Sequence, residues 1–208
     1  MSLYSTLFSS GMKNRWDNRV YVELNAGAGY SRIRGTTRVI RGSPLLALGV
    51  KDPFDRYVFC EENPEKIDAL KLRVRKFAPD ANVEYVTGDC DKNTAEILAK
   101  IPVGSRSDTV LSLCFADPFD ISLKFDTLRN LASRYMDFVV LLAVYSDANR
   151  AYKRYVMEDA VKVDEFLDPL IGENVGELQK QREHPSRSFW QRNSRRGWKR
   201  WATYSAPR

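Results

Sequence analysis

The sequence predicts an α/β fold, a Rossmann-like, doubly wound and mostly parallel sheet, and three observations predict it. Short apolar runs alternate with helical patterns along the first two thirds of the 208 residues. Four successive runs end on a carboxylate: Glu23, Glu61, Asp89 and Asp117. The first of them passes directly into Ala26-Gly27-Ala28-Gly29, where glycines let backbone amides approach a ligand that any side chain would hold off. Open parallel sheets bind ligands outside the carboxyl ends of their strands, so acids at four such ends in a row point to one edge.

The elements follow in order. Val20-Tyr21-Val22-Glu23 is the first strand, and Gly27 and Gly29 make the turn after it. The segment from Ser31 to Arg41 then intervenes before a helix that Ser43 is expected to cap and Pro44 to begin. That spacer removes the helix N-terminus from the turn and so argues against a pyrophosphate-bearing dinucleotide, which would use the helix dipole. Arg32, Arg34, Arg38 and Arg41 on the spacer either meet a polyanion or form a solvated loop.

Tyr57-Val58-Phe59-Cys60 is the second strand, ending in Glu61-Glu62-Asn63-Pro64 before a helix carrying Ile67, Leu70, Leu72 and Val74. An acid at this strand end is where doubly wound folds hydrogen-bond the ribose hydroxyls, and Glu61 fits that role. Val83 to Val86 is the third strand, followed by Gly88-Asp89-Cys90-Asp91 and a helix from Thr94 to Lys100; Asp89 can face an adenine amino group. Thr109 to Ala116 is the fourth, leading into Asp117-Pro118-Phe119-Asp120. The competing reading of such acids, for Asp91 and Asp120 above all, is helix N-capping. Ser122 to Leu131 reads as a helix and Tyr135 to Val144 as a fully buried fifth strand. Residues 147 to 170 read as an amphipathic helix.

Tyr21 to Tyr30, Gly42-Ser43-Pro44-Leu45, Glu61 to Lys66, Gly88-Asp89 and Phe115 to Phe119 together resemble the three-Cys-motif partner family, within the S-adenosylmethionine-dependent methyltransferase fold. The family is named for a protein that it accompanies. The resemblance implies a fold of methyltransferase type with S-adenosylmethionine as cofactor. Glu23, Gly27 and Gly29 would shape the methionine pocket, Glu61 would hold the ribose, and Asp89 would face the adenine. Asn25, which stands where the family more often has an aromatic residue, joins Glu62 and Cys90 in the expected cofactor set. Asp117, Pro118 and Phe119 would border the target. They resemble the short motif of amino-methylating enzymes, in which an Asp or Asn oxygen accepts the N–H and an aromatic ring stacks on the base. A structural Asp-Pro turn is the plainer reading.

Charge singles out the far end. The chain carries +6 overall, yet residues 179–208 hold nine Lys or Arg against one acid, Glu183, which leaves the rest slightly negative. Arg187, Arg195, Arg196, Trp198, Lys199 and Arg200 mix cations with aromatic rings, as single-stranded nucleic-acid sites do. The alternative is a basic edge hairpin, because Trp198 to Ser205 alternates well enough for an antiparallel edge strand.

Length and composition fit one compact domain over residues 1–208, of methyltransferase type as the resemblance implies, with this basic segment at 179–208. No apolar run approaches the roughly 20 residues a bilayer requires, and residues 1–14 lack the pattern of a secretory signal, so a cytoplasmic protein without membrane contact is expected. Cys60, Cys90 and Cys114 match no metal spacing and are expected to be buried free thiols; His184 stands alone, so no metal site is expected. The expected function is methyl transfer from S-adenosylmethionine to a nucleic-acid nitrogen. The alternative is a non-catalytic, cofactor-binding partner subunit that contacts nucleic acid or protein through the basic segment; the resemblance also implies a three-Cys-motif protein as a partner.

Overall fold

The computed structural model describes residues 2–118 and 123–141. The chain divides into two units: Met1–Asp117 with Ser133–Leu141, and Pro118–Ala132 with Leu142–Arg208. Phe119, the amphipathic stretch at 147–170, His184 and the basic segment 179–208 with its expected edge strand all lie outside the described residues.

The first unit is built on five parallel strands: β1 (Asn18–Glu23), β4 (Arg56–Glu61), β5 (Val83–Thr87), β6 (Val110–Ala116) and β7 (Met136–Val140). Their order across the sheet is β5-β4-β1-β6-β7, with every neighbouring pair parallel. The chain steps outward from β1 to β4 to β5, then crosses back to β6 on the other side of β1. That reversal between β1 and β6 is a topological switch point, where doubly wound folds open their ligand crevice.

Strand alternation assigns the two faces. Tyr21, Tyr57, Phe59, Leu113 and Phe115 point to one side and form a single core with Phe8, Leu45, Ile67, Leu70 and Val74. These come from α1 (Ser2–Met12), α2 (Ser43–Leu48) and α3 (Pro64–Phe77). Val20, Val22, Val58, Cys60, Val86 and Cys114 occupy the alternate positions and are buried. Ile97 of α4 (Thr94–Lys100) is fully buried, and α4 lies against β4 and β5. Aromatic contacts tie the first face together, with Tyr21 packed against Phe54, Tyr57 and Phe59 at centroid distances of 5.4 to 6.2 Å.

A small antiparallel ribbon, β2 (Tyr30–Arg32) and β3 (Val39–Arg41), fills the expected spacer. In the second unit, α5 (Phe125–Leu131) buries Phe125, Thr127, Leu128 and Leu131, and Arg129 pairs with Asp126 at 2.7 Å on its surface.

Several expectations need correction. α1 occupies residues to which the sequence pattern assigned no element. Leu72 is 66% exposed, because on α3 it falls off the stripe formed by Ile67, Leu70 and Val74. The fifth strand is half-buried where full burial was expected: β7 is at the edge of the described sheet, with Asp137 exposed. Asp91 does not cap α4, whose N-cap is Asn93. Ser43 does not cap α2 either; the N-cap is Gly42, and the Ser43 hydroxyl turns inward to another partner.

Candidate functional site

Glu23 ends β1 beside the switch point, level with Phe59 on β4 and Phe115 on β6. It is fully buried. Two hydroxyls donate to its carboxyl group: Tyr21, two residues back on the same strand face, at 3.0 Å to Oε2, and Ser43 at the start of α2, to Oε1. Burial among aromatic rings pushes its pKa up to about 8, the two hydroxyls oppose that, and the nearby negative charge of Asp117 adds to it. Near neutral pH this side chain therefore tends to hold its proton.

The turn after β1 wraps toward β4. The Ala26 N–H donates to the Cys60 carbonyl at 2.9 Å, and the Gly27 N–H donates to Oε2 of Glu61 at 2.8 Å. Gly27 has φ +64° and Gly29 φ +81°, a region that side chains rarely adopt. The two glycines differ in surroundings. A Cβ at Gly29 would lie 2.9 Å from Leu70, whereas a Cβ at Gly27 would meet nothing within 4 Å. Open space therefore adjoins the backbone at Gly27, where a ligand would sit. Beside it, Oδ1 of Asn25 is buried with no hydrogen-bond partner, an acceptor that needs a donor from outside the described chain.

Glu61 closes the second strand. Its other oxygen, Oε1, accepts from the Asn63 N–H at 3.1 Å, and Lys66 stands 3.7 Å away. Each carboxylate oxygen keeps a lone pair, so the group can still accept from a hydroxyl pair. Asn63 is the N-cap of α3 and accepts from Glu65 and Lys66 N–H groups, with Pro64 at the first helical position, which fixes the helix start against the strand end.

After β5, Gly88 takes φ +131° and its N–H bonds the Glu61 carbonyl at 3.0 Å, bringing Asp89 to the same edge. Asp89 accepts the Asp91 N–H at 2.9 Å and pairs with Lys92 at 3.3 Å. Cys90 is buried, and burial pushes its thiol up to about 12; Cys60 and Cys114, also buried and unbridged, are pushed up as well. Asp89, Cys90 and Asp91 bring ligand atoms within 4.8 Å of one another, the one such group among the described residues. Asp117 follows β6 as an exposed residue whose carboxyl is partly desolvated, which raises its pKa. Pro118 is buried.

The structure thus gathers Glu23, Asn25, Gly27, Gly29, Glu61, Asp89, Cys90 and Asp117 around the carboxyl ends of β1, β4, β5 and β6. Glu62 is exposed, with no hydrogen bond or ion pair among the described residues. Sequence reasoning missed Tyr21 and Ser43 as partners of Glu23. The Tyr21–Glu23 pair was available from the two-residue period of a strand; Ser43 was not, because its hydroxyl had been assigned to a cap. It also missed Arg73 of α3, which donates to the Ala28 carbonyl and stands over the Tyr30 ring at 5.6 Å.

No family model and no curated protein matches the chain. Solved structures do. A Legionella pneumophila protein of family DUF519 aligns over 67% of this chain at 17% identity and a TM-score of 0.48, and the chain spans 64% of that protein's length. A Staphylococcus aureus protein assigned as a caffeoyl-CoA O-methyltransferase aligns over 87% of this chain and 68% of its own, with 10% identity and a TM-score of 0.42. A conserved hypothetical protein of Streptococcus pyogenes aligns over 63% and 68%, with 14% identity and a TM-score of 0.38. The fold itself is an α/β Rossmann-like parallel sheet with acids at the ends of four of its strands. No helix among the described residues is long and apolar enough to cross a membrane.

Proposed function

We propose that the protein binds S-adenosylmethionine at the carboxyl edge of the sheet and transfers its methyl group to a nucleic-acid nitrogen. The observation that carries this reading is the glycine turn: Gly27 is tied by its N–H to Glu61, has open space where a Cβ would stand, and adjoins the unpartnered Oδ1 of Asn25. A ligand with both amino-acid donors and a ribose diol suits that set. Asn25 and Glu23 would take the amino-acid end, Glu61 the ribose hydroxyls, and Asp89 with Cys90 would border the adenine.

When bound, S-adenosylmethionine supplies a methyl group already activated on a cationic sulfur. The chain's part is then orientation rather than covalent chemistry. Asp117, across the switch point from Glu23, would accept an N–H from the target amine and align its lone pair, with Pro118 stiffening the backbone next to it. Glu23 is suited to respond to a cationic neighbour by releasing its proton, since a positive charge nearby favours the carboxylate. Membership in the three-Cys-motif partner family, and association with that family's partner protein, belong to the same proposal. The basic segment 179–208 is proposed as a second nucleic-acid contact.

Calorimetric titration with S-adenosylmethionine and S-adenosylhomocysteine tests the cofactor. Binding that Glu61→Ala abolishes supports the reading; no binding of either ligand to the unaltered protein overturns it. Transfer of labelled methyl to oligonucleotides, lost in Asp117→Ala with cofactor binding intact, tests the reaction. Cofactor binding with no labelled product on any nucleic acid or protein would leave a non-catalytic partner subunit.

A further inference from the structure

The ribbon of β2 and β3 carries charge of one sign only. All twelve residues from 30 to 41 are exposed. They include four arginines and no acid, and no acid occurs anywhere between Glu23 and Asp52. Cross-strand pairing sets Tyr30 opposite Arg41, Ser31 opposite Ile40 and Arg32 opposite Val39. The Ile33 N–H bonds the Arg38 carbonyl at 3.0 Å and extends the ladder to the tip, where Gly35 takes φ +75° and Thr36 bonds back to Ile33. One face therefore carries Tyr30, Arg32, Val39 and Arg41, and the other Ser31, Ile33, Arg38 and Ile40. Arg41 lies over the Phe77 ring at 4.8 Å. Arg32, Arg34 and Arg38 have no ion-pair partner among the described residues.

A ribbon that exposes Ile33, Val39 and Ile40 together with unpaired guanidinium groups is poorly explained as a solvated loop. All four cations are arginines, whose planar donor forks match phosphate oxygens bidentately. Thr36 and Thr37 lie between Arg34 and Arg38 in the sequence and Ser31 directly precedes Arg32, and hydroxyls are also common phosphate donors. The ribbon is also rooted in the proposed site. The Gly42 N–H bonds the Gly29 carbonyl at 2.7 Å, and the next residue, Ser43, bonds Glu23.

We propose that the β2–β3 ribbon is a docking surface for the sugar–phosphate backbone of a polynucleotide, with Arg32, Arg34 and Arg38 as its phosphate contacts. This rests on the reading of the target as nucleic acid and names where that polymer is held. An acidic polypeptide is the competing occupant.

The test is fluorescence anisotropy with labelled single-stranded DNA and RNA oligonucleotides over a salt series, using the full chain without cofactor. The variant is Arg32→Ala/Arg34→Ala/Arg38→Ala. The control, Arg15→Ala/Lys51→Ala/Arg106→Ala, removes the same charge from exposed positions in the loops that precede β1, β4 and β6, at the opposite edge of the sheet. Circular dichroism and calorimetry with S-adenosylmethionine accompany both. The ribbon variant is expected to bind at least about tenfold more weakly. Its slope of log affinity against log salt should flatten by about 2, since each single-strand phosphate contact contributes about 0.7. The control should keep the slope of the unaltered protein. Unchanged binding in the ribbon variant, or equal losses in both variants, overturns the proposal, and so does displacement of the oligonucleotide by poly-glutamate at equal charge. Failure of S-adenosylmethionine to bind would sink the methyltransferase reading and leave this result standing.

Discussion

Replacing Glu23 with Gln should remove a large pH dependence of stability. In the fold the Glu23 pKa rises from 4.5 to about 8, and the unfolded chain returns it to the ordinary value. Below about pH 4.5 both states hold the proton, so the group does not distinguish them. Between there and pH 8 the native state keeps a proton that the unfolded state has lost, and stability falls with rising pH by about 1.4 kcal/mol per unit. Across that window of about 3.5 units the loss approaches about 5 kcal/mol. A glutamine mimics the protonated acid: its carbonyl can accept from Tyr21, and its amide can donate to Ser43 if that hydroxyl turns to accept. Urea unfolding followed by circular dichroism, from pH 5 to 8, should show the unaltered protein losing stability relative to Glu23→Gln as pH rises. If the two curves run parallel to within about 0.5 kcal/mol over that range, Glu23 is ionised in the fold and the reasoning fails.

The two turn glycines should behave differently. Gly29→Ala should cost about 2–4 kcal/mol in urea unfolding, from the left-handed backbone together with the clash on Leu70. Gly27→Ala should cost only about 1–2 kcal/mol yet abolish S-adenosylmethionine binding in calorimetry, because its methyl enters the open space. Asn63→Ala removes the acceptor for two helix N–H groups and should destabilise by about 1 kcal/mol, read in the same unfolding assay. Cys60, Cys90 and Cys114 should resist a thiol reagent in the native protein and react fully in denaturant; fast native labelling would contradict their burial and raised pKa.

The parallel sheet was legible because four of its five strands announce themselves twice, by apolar runs and by the acid at or just past the end of each. Four strands and α4 lie where the pattern put them, to within two residues. The misses share a cause. Ser43 was read from local capping preference, and a buried carboxyl twenty residues away claimed its hydroxyl instead. Leu72 was counted as apolar without asking which face of α3 it occupies. The fifth strand was judged by its composition, whereas burial depends on what lies beside it. At the site, Glu61 was legible as a strand-end acid, but its bond to the Gly27 N–H was not, since it joins residues 34 apart.

The chain leaves the glycine turn at Gly29 and returns to the same spot at Gly42, where one backbone hydrogen bond shuts the gap. Everything between is an excursion whose two ends coincide. Such an insert can lengthen, shorten or be exchanged at small cost, since doubling a loop adds only about 0.6 kcal/mol of closure entropy. The scaffold that shapes the glycine turn and the element that projects from it are thus separable units of change, and a descendant could acquire a new recognition element here while Glu23, Gly27 and Glu61 stay in place.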